Sequence, residues 1–184
     1  MTIAATQAVK KLVLSGGPAW FRNLVTITLT GHTGHTPGNL ILLVYRGSTL
    51  VAYADDFSGS DDSCTGTLDT NTSEMEDFFT GVQPGAIRDF DLFLYDSDST
   101  SLDLLGMGVL EVLAVRDYAE TSPVPPISDT TVFIGSFAFY DGKTYIRSSA
   151  DGKYYEFAAA GSGSTVTESL DTTGIDIPGA PAWP

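Results

Sequence analysis

Two Asp-Gly pairs, Asp141-Gly142 and Asp151-Gly152, stand ten residues apart in a tract of aromatic and β-branched side chains running from Phe137 to Phe157. A two-residue hairpin turn needs positive φ at both central positions, and Asp-Gly is the pair that tolerates it. The tract is therefore expected to fold as a three-stranded meander with aromatics on both faces. A sheet that small cannot bury two aromatic faces alone. It must lean on something else, and this points toward an assembly protein.

Upstream, the hydrophobic pattern changes from strand to strand. Val25, Ile27 and Leu29 alternate with Thr26, Thr28 and Thr30, the period of a half-buried strand. Leu40 to Tyr45 is continuously apolar, which fits a central strand covered on both sides. An Arg46-Gly47-Ser48-Thr49 turn returns the chain into Leu50–Tyr53, and further strands are expected near 11–14, 65–68, 90–95 and 106–113. One helix is expected: Ser73 and Glu76 have capping-box spacing, Met75, Phe78 and Phe79 share a helical face, and Gly81 ends it. With only 17% charged residues, 19 Gly and 9 Pro, the composition also favours strands joined by turns.

The expected fold is thus all-β. An N-terminal arm (1–9) precedes an antiparallel β-sandwich (10–118) with one short helix. A Pro-rich spacer (119–130), the aromatic meander (131–160) and a tail (161–184) beginning with a flexible Gly161-Ser-Gly-Ser164 joint follow. The arm and the tail, with Trp183 between prolines, are suited to ordering on a partner subunit.

A net charge of −14 excludes a nucleic-acid grip by bulk electrostatics, and an anionic membrane would repel the chain. No apolar run is long enough to span a bilayer, so membrane insertion is not expected, and the first residues lack the order of a secretion signal. Cys64 has no partner for an internal disulfide and no basic neighbour to activate it.

Three constellations carry chemical content. Asp96, Asp98 and Asp103 leave one strand end and enter the next, and carboxylates converging from such a loop can bind calcium. Asp55, Asp56, Asp61 and Asp62 would supply a second acidic loop at the same end. The segment resembles the calcium-dependent lipid-binding sandwich of protein kinase C type, in which a strand runs into Asp-x-Asp and an Asp-x-x-Gly precedes the next strand. Short acidic turns also arise for solvation and Asx-turn bonding alone. His32 and His35 are spaced as two zinc ligands, with no third ligand near them. The aromatic tract reads as core or subunit interface, with Phe137, Phe139, Tyr145, Tyr155 and Phe157 as contacts and Trp183 as anchor. The alternative for the tract, which also holds Tyr140 and Tyr154, is a carbohydrate platform. No nucleophile–base set or phosphate loop stands out, and no cofactor beyond calcium is implied.

The run Phe133-Ile-Gly-Ser-Phe-Ala-Phe-Tyr-Asp-Gly-Lys-Thr-Tyr-Ile-Arg-Ser-Ser-Ala-Asp-Gly-Lys-Tyr-Tyr-Glu-Phe157, then a Gly-rich joint, resembles hairpin modules near the ends of tailed-phage virion proteins. The upstream region, with Leu68 to Phe79 before Asp91 to Asp98, resembles immunoglobulin-like domains of phage baseplate and capsid-surface proteins. The resemblance implies a non-enzymatic, homo-oligomeric structural protein of the particle: a capsid decoration, head-fibre, tail-fibre or baseplate component. It would be assembled in the host cytoplasm and carried in the virion. A trimer is one symmetry it allows, and its partners would be copies of itself and other virion proteins. Calcium-dependent and carbohydrate-binding modules are the alternatives.

Overall fold

The computed structural model describes residues 3–8, 10–12, 17–31, 34–98, 102–114, 123–124, 126–163 and 165–182, with the backbone alone for 3–8 and 10. The fold is all-β with one short helix. In chain order the strands are β1 (Ile3–Ala8), β2 (Lys10–Lys11), β3 (Ala19–Trp20), β4 (Leu24–Thr30), β5 (Leu40–Arg46), β6 (Thr49–Ala54), β7 (Ser58–Gly59) and β8 (Ser63–Asp69). Helix α1 (Ser73–Glu76) follows, then β9 (Ile87–Ser97), β10 (Leu102–Leu113), β11 (Val132–Ile134), β12 (Phe137–Tyr140), β13 (Lys143–Arg147), β14 (Tyr154–Ser162) and β15 (Thr165–Leu170).

Three sheets stack as layers. The middle one has the order β2-β10-β9-β5-β6, with β3 also on β10; β2 and β3 run parallel to β10 and the other pairs are antiparallel. One face is covered by the three-stranded sheet β4-β8-β7 and α1, and the other by the six-stranded sheet β1-β15-β14-β13-β12-β11. This explains the unbroken apolar run of β5. Leu40, Leu42 and Val44 face Ile27, Leu68, Met75 and Phe79, while Ile41, Leu43 and Tyr45 face the aromatic ribbon. Strand β9 divides the same way, sending Phe90, Leu92 and Leu94 to one side and Phe93 and Tyr95 to the other. Residues 40–45 of β5 and 92–95 of β9 are all removed from water, so alternation there has no polar face to mark.

The sandwich, helix and meander of the sequence reading are all present, and the meander is the middle of a wider sheet. Asp141 (φ 50°) and Gly142 (φ 72°) form the expected tight turn. The second Asp-Gly pair does not. There Gly152 alone is left-handed, and residues 148–153 form a longer loop closed by Ser148 N–H to Lys153 O and Gly152 N–H to Ser148 O, both 2.9 Å. The Asp151 carboxylate is spent on accepting the Lys153 N–H (3.0 Å) and the Tyr155 hydroxyl (2.6 Å), an Asx-type closure that competes with the two-residue turn. The helix cap also lies one residue earlier than expected: Thr72 accepts the Met75 N–H at 3.1 Å.

The described residues of the parts read as arm, spacer and joint are built into the body. Residues 3–8 pair with β15 of the same chain, from Ile3–Leu170 to Ala8–Thr165. Val124 bridges to Thr72 and donates its N–H to Asn71 O, so the Pro-rich segment crosses the helix start. Gly161 and Ser162 continue β14, and Gly163 (φ 65°) begins the turn into β15. Further on, Ile175 bridges to Tyr154 and Ile177 is buried against the ribbon's outer face. Trp183 lies outside the described residues.

Candidate functional site

Asp96 and Asp103 sit directly opposite each other on β9 and β10. Asp96 Oδ2 lies 2.6 Å from His35 Nδ1, so this carboxylate ties the loop before β5 to the end of the middle sheet. The Asp98 carbonyl accepts the Ser136 hydroxyl at 3.0 Å, and the buried Ser97 hydroxyl accepts the Ser136 N–H at 2.9 Å. Between them, Gly135 (φ 52°) packs so closely that a Cβ there would lie 2.3 Å from the Ser97 carbonyl oxygen. The Asp-Ser-Asp segment is thus the clamp on which the β11–β12 turn seats.

That placement corrects the calcium expectation. Among the described residues no three His, Cys, Asp or Glu side chains gather where they could hold a metal ion, so Asp96, Asp98 and Asp103 do not form one cage. The Asp96 carboxylate is instead engaged with His35, and the Ser97 hydroxyl and Asp98 carbonyl with Ser136 of the ribbon. His32, the other member of the histidine pair, lies outside the described residues. Cys64 is buried on β8, and desolvation pushes its thiol up, as its apolar surroundings demand.

The aromatic tract is also corrected as a subunit contact. Phe137, Phe139 and Phe157 are almost wholly buried within the chain, packed on Tyr45, Phe93 and Tyr95 of the middle sheet. Phe137 and Phe157 meet Tyr95 edge-on at 5.3 and 6.0 Å, and Tyr53 stacks on Phe139 at 4.5 Å. Tyr145 is buried on the opposite face with Tyr154 and Ile177. Only Tyr155 of the five keeps partial exposure, with its hydroxyl donated to Asp151. Phe137, Phe139 and Phe157 find their partner surface in their own chain, on Ile41, Leu43, Tyr45, Phe93 and Tyr95 of the middle sheet. These three phenylalanines turn inward, while Tyr140 and Tyr155 keep partial exposure.

Among the described residues, two concavities are of note. A cleft of about 340 Å³ is lined by Tyr53, Asp55, Asp56, Asp69 and the Val124–Ile127 region. Burial raises the Asp55 carboxyl, and the neighbouring Asp56 charge adds to it; the Asp56 carboxylate accepts the Thr67 N–H at 2.6 Å. A larger groove of about 660 Å³ runs along β10 beside the β14–β15 turn, between Asp89, Asp91, Glu111 and Lys11.

Below that groove the six-stranded sheet stops short, and the middle sheet shows its face. Leu113 is paired with Trp20 on one side and Ile87 on the other, a row of three apolar side chains on one face. Trp20 is 53% exposed and Ile87 45%, with Val109 at 50% further up the same face of β10. Sequence reading missed this surface: Trp20 stands outside the alternating runs, and only the end of the covering sheet leaves these residues in water. No helix among the described residues is long and apolar enough to cross a membrane. Comparison with known protein families, curated proteins and solved structures found no match.

Proposed function

We propose that this chain is a non-enzymatic structural protein of a tailed-phage particle, a decoration, fibre or baseplate component that assembles with copies of itself and with other virion proteins in the host cytoplasm. The observation that carries the reading is the Trp20–Leu113–Ile87 row on an otherwise well-packed body. Contiguous apolar side chains at the rim of a sheet are costly in water and mark surfaces that other proteins cover. The resemblance of the 133–157 tract to hairpin modules of virion proteins supplies the kind of assembly. The layered body supports it too, since three sheets sharing two cores make a rigid block, suited to repeated attachment.

The test is direct. Particles banded from lysates of cells carrying the gene should contain the chain at a fixed copy number by quantitative mass spectrometry. The double variant Trp20→Ser, Ile87→Ser should fold, because both side chains face solvent, and should be lost from the particles. A chain absent from intact particles ends this reading.

A further inference from the structure

The three-stranded sheet ends on β4, and no strand among the described residues pairs with its outer edge. This edge is regular: Leu24 to Thr30 pair with Asp69 to Ser63 residue for residue, without a bulge. It carries no Lys, Glu or Pro, the devices by which exposed edges are usually protected. Ile27 and Leu29 point into the core, while Thr26, Thr28 and Thr30 face solvent.

The order of side chains on β4 is nearly symmetric about Ile27. Reading outward, Thr26 is matched by Thr28, Val25 by Leu29 and Leu24 by Thr30. If two copies of β4 lie antiparallel about a two-fold axis through Ile27, Thr stands opposite Thr on the solvent side. On the core side Val25 meets the other copy's Leu29 and the two Ile27 side chains adjoin. Side-chain direction alternates along a strand, so this register continues both faces of the sheet across the junction. Another uncharged edge, β1, lacks the property. About Ala5 its Ile3 would face Gln7 and its Ala4 would face Thr6.

Charge points to the same place. The first 54 residues contain no Asp or Glu and four basic residues, Lys10, Lys11, Arg22 and Arg46; all 23 acids lie beyond them. Two chains of net charge −14 repel. They approach at least cost along an edge drawn from the acid-free part. Leu24, 66% exposed, lies at one end of that edge, and the Thr70 hydroxyl ties the Trp20 and Asn23 carbonyls beside it (2.6 and 2.9 Å).

We infer that the outer edge of β4 is a self-association surface, and that its occupant is β4 of a second copy, paired antiparallel about Ile27 to fuse two three-stranded sheets into one of six. An isologous contact of this kind closes as a dimer. The inference deepens the self-assembly part of the proposed function and is tested apart from it, on the purified chain. Sedimentation equilibrium should give a dimer whose association tightens as salt rises, since screening removes net repulsion. The double variant Thr26→Lys, Thr28→Lys places like charges opposite each other twice in the pair and should weaken association about tenfold or more. Thr26→Lys with Thr28→Glu places opposite charges there and should retain it. Both variants change only solvent-facing side chains, so each should melt close to the parent. A parent that is monomeric at every concentration, or that closes as a trimer, overturns the inference, as does a Lys–Lys variant that associates as the parent does. Equal weakening by both variants overturns the register. Particles that contain the chain while the purified edge shows no pairing would leave the virion reading standing without this contact.

Discussion

The two faces of the middle sheet are packed by different chemistry. Toward the three-stranded sheet the core is apolar and its rings carry no hydroxyls: aliphatic side chains pack with Phe21, stacked on Phe79 at 4.5 Å, and Phe90 beside Phe79. Toward the ribbon the contacts are aromatic and carry hydroxyls: Tyr45 donates to Thr144 Oγ1 at 2.9 Å and Tyr95 to Glu168 Oε1 at 2.8 Å. A core without buried hydroxyls tolerates small slides, because dispersion and burial have little direction. A buried hydroxyl does not, because losing its partner leaves a desolvated polar group. The ribbon is therefore held in one register by a few directed bonds, while the other layer is held by area and by backbone caps.

The ribbon side should break most sharply at Gly135. Its left-handed φ already disfavours any Cβ, and the Cβ would meet the Ser97 carbonyl, part of the strand on which the turn rests. Gly135→Ala is expected to cost about 3 kcal/mol or more, the sum of backbone strain and a forced shift. Gly163→Ala, also left-handed but in open space, should cost about 1 kcal/mol. Urea unfolding measures both, and hydrogen exchange should show the Gly135 variant losing protection first in β11 and β12. Equal costs would mean that the close seat of this turn on Ser97 adds nothing.

High pH separates the two faces next. Burial pushes the Tyr45 hydroxyl up to about 12, and Tyr95 is raised by burial and by Glu168 beside it. The folded state thus holds these protons more tightly than the unfolded chain, whose tyrosines release them near pH 10. The stabilisation is whole below about pH 10 and is lost as pH rises toward the folded values, by about 1.4 kcal/mol per pH unit for each tyrosine. Tyr95→Phe should cost about 1.5–3 kcal/mol at neutral pH, through the lost bond to a carboxylate, and should flatten the alkaline decline. A decline as steep in a Tyr45→Phe, Tyr95→Phe double variant would remove these hydroxyls as its cause.

On the other face, the directed contacts gather around the helix and the Trp20–Asn23 turn, where Arg22 pairs with Glu76 at 2.5 Å and the Thr70 hydroxyl accepts the Asn23 N–H at 2.9 Å. Thr72 caps α1 and donates its hydroxyl to Val51 O at 2.5 Å, joining the helix to the edge of the middle sheet. Thr72→Val should cost about 1–2 kcal/mol, less than the ribbon's key residue, because the Met75 and Phe79 side chains stay buried. Protection should fall in β6 and α1 and hold in the ribbon. Loosening of the ribbon instead would show that the two cores do not respond separately.

Much of this was legible in the chain. The period of β4, the unbroken run of β5, the meander and the single helix follow from local pattern, because each is decided by neighbours a few residues apart. What could not be read was which apolar faces meet. Phe137, Phe139 and Phe157 looked in need of a partner subunit, and nothing local says that Ile41, Leu43, Tyr45 and Tyr95 would supply the surface. The Asp96-Ser-Asp98 segment misled for the same reason. Its acids have the spacing of a cation loop, but the Asp96 carboxylate is engaged by His35, sixty-one residues earlier, and the Asp98 backbone carbonyl by the Ser136 hydroxyl, thirty-eight residues later.

The two Asp-Gly pairs sharpen the point at the smallest scale. In the first, backbone conformation alone makes the turn; in the second, the side chain does. Hydrogen bonds from the Tyr155 hydroxyl and then the Lys153 N–H hold the Asp151 carboxyl below its usual range, and the same Asp151 bond raises the Tyr155 hydroxyl. Tyr155→Phe should move the Asp151 titration back up toward an ordinary carboxylate, read by carbonyl NMR, with little change in overall stability because both groups face water. The 148–153 loop should keep its Gly152 conformation, since the Ser148–Lys153 and Gly152–Ser148 backbone bonds remain. If the loop instead collapsed to a two-residue turn, the Tyr155 bond would be what prevents the second Asp-Gly pair from copying the first.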